Sequence, residues 1–474
     1  MIARRGEPMF VPIVILRKHL TQIINEKTEQ GHVTDGLADE LAALPDSYDA
    51  VYAFAKRVAN LPLRADWPYV EPSEFDEIVA ELDPTRPLGK LGTVSDREAR
   101  VETAFMASVC GCVLGKPLEI NPTLADVRKA LEAIGEWPMK AYVSEKIAPH
   151  LPRAMHHSWR ETTREHITYV ASDDDINYTV LGMLNLEQHG IGFTKKQLKN
   201  LWLGQLPIST TFGPERTTLL KAGLDTYHGT ADEATMREWV TTFTPREEFC
   251  GALIRADAYG YACAGEPALA AELAWRDASF THRRTGIYGT MFIAAAIAAA
   301  FTQPKDPLDI FRTALKFVPQ RSRLCHILNG CLEDIESSRD WLTAYEKIHA
   351  KHFKWDHCRV FQELGTVMNT LRFAEGITDG ICKQVSQGND TDSYGATCGS
   401  ILGAYFGPAK RRELDAWLKP FNDDLRTTLA QFYERSLVAV AKRMTQLPAL
   451  VDKQQAEGVK QVAEQKARDA GAGL

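Results

Sequence analysis

The stretch Gly388-Asn389-Asp390-Thr391-Asp392-Ser393 sets two carboxylates two positions apart, follows them with a hydroxyl, and leads into a run with glycine at Gly395, Gly399, Gly403 and Gly407. Compact oxygen donors at that spacing can wrap one hard divalent cation, since Mg²⁺ favours oxygen ligands and keeps several waters. A second stretch, Ser172-Asp173-Asp174-Asp175, repeats the combination earlier in the chain. Alone it reads equally well as a capping serine with acidic residues in a first helical turn. Two such clusters, each opening onto an apolar helical run, favour a pair of metal ions held between two helix starts and turned toward a small substrate. A third segment, Gly111-Cys112-Val113-Leu114-Gly115-Lys116-Pro117-Leu118-Glu119, ends a helix and places an acidic residue after a proline turn. It is no phosphate-binding loop, because Pro117 stands where Ser or Thr would follow the lysine. By itself Glu119 reads as a surface turn residue.

These residues need rigid elements to position them. From Asp96 to about Leu447 the chain is a succession of helical patterns with short Gly, Pro and Asp punctuation, and strand-like alternation is nearly absent. The three-to-four spacing predicts helices over 98–113, 176–189, 198–206, 218–227, 233–242, 267–278, 306–317 and 321–338, with a buried, alanine-rich helix over 286–301. The fold class is therefore all-α, a compact bundle of ten or more helices. The four glycines at a spacing of four share one helix face, where a neighbouring backbone can approach; packing alone explains them. Such packing would fix Asp390, Asp392 and Ser393 at the helix N-terminus, where free N–H groups add positive potential. Residues 1–95 read as a separate helical extension, a lid or a packing element, with a helix start at Leu44-Pro45-Asp46-Ser47-Tyr48. Residues 96–447 form the catalytic unit, and 448–474 a polar, solvated or frayed helical tail.

With 474 residues, 45% of them hydrophobic, the chain can bury a sizeable core. A formal net charge of −7 gives no reason to expect nucleic-acid backbone binding. Nine cysteines without a C-x-x-C pair indicate neither a disulfide framework nor a zinc site. The apolar run Met9–Leu16 is short, is followed by Arg17, Lys18 and His19, and reads as a strand or helix start. The longest apolar stretch, Gly286–Phe301, falls short of the roughly twenty residues of a spanning helix. No membrane association and a cytoplasmic location are the expectations; the oligomeric state is left open.

Taken together, the three segments resemble the ADP-ribosylglycohydrolases, all-α hydrolases that remove ADP-ribose from proteins and related acceptors. The resemblance covers roughly residues 97–445. Gly111 to Glu119 looks like that family's G-D-x-x-G-x-x-x-E segment, Ser172 to Asp175 like T-D-D-T, and Gly388 to Ser393 like G-G-D-T-D-T. The resemblance implies that Ser172, Asp173, Asp174, Asp390, Asp392 and Ser393 ligate two Mg²⁺ ions, with Mn²⁺ an acceptable substitute, and that Glu119 sits at the same pair. Glu119 and Asp174 are the implied catalytic carboxylates. His282, in Ser279-Phe280-Thr281-His282, is similar to a histidine near the ribose. Gly251 and Arg255, in Phe249 to Arg255, look like the family's N-G-A-A-M-R loop without its asparagine. Phe212 and Gly213 look like the glycine loop that receives a diphosphate. The implied partner is ADP-ribose or an ADP-ribosylated conjugate.

This sequence departs from the family pattern at four places. Serine replaces threonine at Ser172 and Ser393, keeping the hydroxyl and losing a methyl that locks its rotamer. Asp175 replaces a threonine and adds negative charge, and Cys112 stands where an aspartate is usual, removing a supporting carboxylate. The expected reaction is hydrolysis at ribose C1 of an N- or O-linked acceptor through an oxocarbenium-like transition state. The alternatives are a metal-dependent hydrolase of a small nucleoside or ribosyl substrate, and a catalytically silent ADP-ribose-binding protein.

Overall fold

The computed structural model describes residues 12–471 apart from 121, 227, 228 and 356, with side chains through residue 461. Among the described residues the regular elements are all helices, and β-type pairing is confined to isolated bridges such as Thr123 with Gly388. The fold class is all-α, as the spacing predicts.

Two helices set the frame. Arg97–Gly115 and Thr391–Phe406 pack backbone against backbone along the glycine seam. A Cβ on Gly395 would fall on the Gly111 carbonyl, one on Gly399 on the Ala107 carbonyl, and one on Gly403 on the Ala104 backbone. The contact is reciprocal, since Gly111 meets the Gly395 carbonyl and Gly115 that of Thr391. Gly407 differs from the other three. It lies past the helix end at φ +56° and faces the Arg100 guanidinium, which donates to the Ala404 and Tyr405 carbonyls at 2.9 and 3.0 Å. That backbone conformation is one that glycine adopts at no steric cost.

Thr285–Ala300 runs through the middle with every residue buried, its alanines allowing Pro267–Ala278 to lie close. The other predicted helices appear at Asp174–His189, Lys195–Gln205, Gly213–Leu224, Glu233–Thr241, Pro267–Ala278, Leu308–Leu315 and Arg323–Glu336. The predicted end at Tyr227 lies outside the described residues. The spacing gave no warning of Trp341–His352, Phe361–Phe373 or Ile377–Ser386, while the run read as a strand or helix start leads into the helix Ile13–Glu29. The run from Met9 is described only from Pro12 onward, where it enters this helix. One helical stretch, Arg97–Leu118, is long and apolar enough to cross a membrane, yet 89% of that window is buried within the protein, as a core helix must be.

Leu20, Ile23, Ile24, Leu37, Leu41, Val51, Phe54, Ala55 and Val58 make a small second core. Ser47 caps Tyr48–Ala59 by accepting from Ala50 N. Charged side chains bind this core to the rest. Lys27 pairs with Glu247 at 2.8 Å, Glu26 accepts from Arg246 N at 2.8 Å, and Glu29 pairs with Arg359. Glu71 meets both Arg284 and Arg323, at 2.7 and 2.9 Å. The tail begins as helix Leu447–Gly471, whose first turns are anchored by buried Val451 and by Gln454 accepting from Ile191 N at 2.8 Å.

Buried Asp257 accepts from Ser400 at 2.7 Å and Ser108 at 3.2 Å, tying the two frame helices to the segment that carries it, and its other oxygen has no partner. Burial pushes its carboxyl up to about 7, against the two serine bonds. A carboxyl raised in the folded state favours folding at low pH, and that advantage is lost as pH climbs from the ordinary carboxyl range through about 7. Thermal melts should therefore show Tm falling across that window, and Asp257→Asn should flatten the fall. For the seam, Gly399→Val should lower stability in urea by at least about 1–3 kcal/mol through overpacking. Gly330→Ala, at a helical site with open space around it, should raise stability by about 0.4–1 kcal/mol.

Candidate active site and metal centre

The seam brings the ends of its two helices together, and the acidic segments lie there. Thr391 Oγ1 donates to the Gly115 carbonyl at 2.8 Å, locking the two ends in register. Gly388, at φ +79°, lies against the Pro122 carbonyl, which also accepts from Asn389 N at 2.8 Å; a side chain at Gly388 would strike it. Asp173 caps the Asp174–His189 helix by accepting from Asp175 N at 3.0 Å.

Lys116 sits among these carboxylates. Its Nζ lies 2.7 Å from Asp173 Oδ2, 2.7 Å from Asp392 Oδ2 and 2.6 Å from Glu119 Oε2. Burial works against the charged ammonium, but Asp173, Asp392 and Glu119 outweigh it and hold Lys116 well above its usual range. One ammonium does not neutralise the cluster. Burial, then the Glu119 charge, pushes Asp392 up; burial, then Asp173, takes Asp174 up to about 8. Burial likewise raises Glu119 despite Lys116 beside it, whereas in Asp173 the lysine overcomes burial and lowers the carboxyl.

These groups floor a cavity of about 1090 Å³. Ser172, Asp173, Asp174, Asp390, Ser393 and Glu119 line it, while Asp392 lies just behind, 1% exposed. Glu119, Asp390 and Asp392 bring carboxylate oxygens within 4.8 Å of one another. Asp392 Oδ1 is buried without a partner, and Asp173 Oδ2 and Glu119 Oε2 face the Lys116 ammonium. Carboxylate oxygens crowded this closely around one ammonium are a donor set that fits a hard divalent cation. Asp175 is turned away from the cavity. Its Oδ2 is 4.0 Å from Cys112 Sγ, and its other oxygen is unpartnered, so the two departures from the family pattern face one another.

The expected substrate contacts divide into two groups. Phe212, Gly213 and Gly251 line the cavity, Phe212 as a 56% exposed ring with the Arg216 guanidinium over it. Arg255 and His282 do not line it. The Arg255 guanidinium is consumed by Asp277 at 2.5 Å, Glu215 at 2.8 Å, the Gly251 carbonyl at 2.9 Å and Thr281 at 2.9 Å, and it packs on the Trp202 ring. His282 is fully buried, its Nδ1 on Thr281 Oγ1 at 2.8 Å. Both brace the wall from behind; direct contact with a ligand in the cavity is therefore corrected for these two. Burial and the Arg255 charge hold the His282 imidazole neutral.

Two cavity residues gave no sequence signal. Glu215, which holds Arg255, has its carboxyl raised by burial to about 7 despite that arginine. His156 lies 3.6 Å from Glu119 and is lowered to about 4 by burial and Lys116. Arg153, Arg160 and Arg246 add positive charge to the cavity wall, the complement of an anionic ligand.

An ADP-ribosylglycohydrolase family model matches residues 93–448. The chain belongs to the ADP-ribosylglycohydrolase family. A solved structure described as an ADP-ribosylglycohydrolase-related protein complex is similar at 20% identity with a TM-score of 0.47, over 76% of this chain and 100% of that one. No curated protein sequence matches. Membership makes this a glycohydrolase-type hydrolase fold with acidic clusters able to hold a metal.

The buried position of Arg255 generates a test. Arg255→Met strands Glu215 and Asp277, and should destabilise the protein by about 3–5 kcal/mol in urea. Phe212→Ala should leave the urea midpoint unchanged while weakening ADP-ribose binding in calorimetry.

Proposed function

We propose that this family member is a divalent-cation-dependent hydrolase that cleaves the ribosyl C1 N- or O-glycosidic bond of ADP-ribosylated substrates and releases ADP-ribose. The observation that carries this reading is the crowding of carboxylates from three chain segments at the floor of one cavity, with one ammonium, Lys116, among them. Asp173, Asp174, Asp390 and Asp392, with the Ser172 and Ser393 hydroxyls, would hold the cations. Once bound, they supply Lewis-acid stabilisation of charge beside the ribose.

The chain's own groups do the rest. Water adds its hydroxyl to C1 as the C1–acceptor bond breaks, and one proton must reach the leaving nitrogen or oxygen. Glu119, half-exposed at the cavity floor, is placed to take the proton of that water. Having taken that proton, Glu119 is placed to pass one to the acceptor, while Asp174 acts ionised, as a cation ligand beside the reacting carbon. The arginines on the wall suit the diphosphate and the exposed Phe212 ring suits the adenine. In the same reading residues 1–95 are a bracing extension to the catalytic unit 96–447. No described residue before Lys116 lines the cavity, while Glu26, Lys27 and Glu29 grip the flanks of its wall.

Lys116 supports a second reading. An ammonium already set between Asp173, Asp392 and Glu119 competes with a cation for those oxygens, which suits a protein that binds ADP-ribose without turning it over. Arginine-, serine- and nucleobase-linked conjugates and acetylated ADP-ribose separate the two. Release from one of them, abolished by chelator and in Asp392→Asn, is the expected result. Silence on every conjugate with ADP-ribose binding intact would select the second reading.

A further inference from the structure

The cavity wall holds a donor set of a different chemical kind. Cys250 Sγ and Cys358 Sγ each lie 3.2 Å from the same atom, Asp390 Oδ2, and the three ligand atoms fall within 4.8 Å of one another. All three residues line the cavity, so the cluster is open to solutes.

The surrounding backbone builds this arrangement. Cys250 N donates to the Cys358 carbonyl at 2.8 Å, fixing two segments far apart in sequence side by side. Glu363 Oε1 accepts from Asp390 N at 3.0 Å and from Cys358 N at 3.3 Å, so one carboxylate holds two of the three ligand-bearing residues. Its other oxygen is buried with no partner, in a residue only 2% exposed. Cys358 is held at φ +62°, a backbone state costly for a non-glycine residue and maintained by those two bonds.

We infer that Cys250, Cys358 and Asp390 form a site for a soft divalent cation of the Zn²⁺ class, beside and separate from the hard-oxygen cluster. Two thiolates and a carboxylate leave a fourth tetrahedral position facing the cavity, the pattern of an open zinc site. Proton bookkeeping agrees. Without a cation each thiol can donate to Asp390 Oδ2 at 3.2 Å. Binding one M²⁺ releases two thiol protons to solvent, forms two M–S bonds, and leaves the local charge unchanged. The cation also takes Asp390 Oδ2, so it competes for that carboxylate with any ion at Glu119 and Asp392. The inference does not depend on the hydrolase reading, because metal binding alone tests it.

The experiment titrates reduced, chelator-stripped protein with Cd²⁺ in excess Mg²⁺, following the ultraviolet thiolate-to-cadmium band and the protons released. One equivalent bound, with the band and two protons, is expected. Cys250→Ser and Cys358→Ser should each weaken binding at least about tenfold, while Cys263→Ser, buried in the core, should change nothing. Should a serine variant fail to fold, wild-type protein decides: Cd²⁺ should protect Cys250 and Cys358 from alkylation, read by peptide mass. Absence of a band in reduced wild-type protein, its survival in the folded double-serine variant, or equal alkylation with and without Cd²⁺ would each overturn the proposal.

Discussion

The structure depends on the absence of side chains between two helices. Where Gly111 meets Gly395, Gly115 meets Thr391, and Gly399 and Gly403 meet Ala107 and Ala104, the Arg97–Gly115 and Thr391–Phe406 backbones touch directly. At that separation the helices cannot slide without collision, and the Thr391 hydroxyl on the Gly115 carbonyl fixes the remaining freedom along the axis. The consequence appears at the adjoining ends, one residue past Gly115 and one residue inside the Thr391–Phe406 helix. Lys116 and Asp392, 276 positions apart in sequence, meet at 2.7 Å.

Around that pair Glu119, Asp173 and Asp390 gather as well, an electrostatically unfavourable crowding of acids, and the rest of the molecule is arranged around it. Asp173 offsets its charge against the start of its own helix by accepting from Asp175 N, and Asp390 heads the other helix. Behind the wall, Arg255 holds Glu215 and Asp277 between aromatic faces. On the outer side, the ion pairs of Glu71 and Glu248 with Arg284 and Arg323 anchor the N-terminal core. Because these pairs are buried, they hold geometry more than they add stability; losing one partner would leave its opposite charge stranded.

Much of this was legible in the sequence because it rests on local rules. The glycine spacing and the two acid-and-hydroxyl clusters follow from chain-local periodicity and capping. Helix Phe361–Phe373 escaped because it is buried nearly all round, with Gln362, Glu363, Thr366, Asn369 and Thr370 inside, so its amphipathic signal is erased. Residues 377–386 start on Gly376 with no side-chain cap, whereas 341–352 were missed although Asp340 caps them by accepting from Thr343 N at 2.8 Å. Arg255 and His282 were placed correctly along the chain but on the wrong side of the wall, since spacing cannot tell a side chain that lines a cavity from one that supports it. Glu215 and His156 carry no motif, and only tertiary packing brings them to the acids. The cysteine pair was invisible for the same reason, as 250 and 358 become neighbours only through one backbone hydrogen bond.

Lys116 bears on the order in which the protein is assembled. A carboxylate cage closed only by imported ions would leave the chain repelling itself until those ions arrived, as in domains that stay unfolded without their metal. Here the closing charge is encoded at the end of the first frame helix and arrives with the chain. Its ammonium rides on a flexible four-carbon stem, so it can yield its place without disturbing the backbone beneath it. Closure of the cluster is thereby built into the chain, with an ammonium of its own standing among the carboxylates.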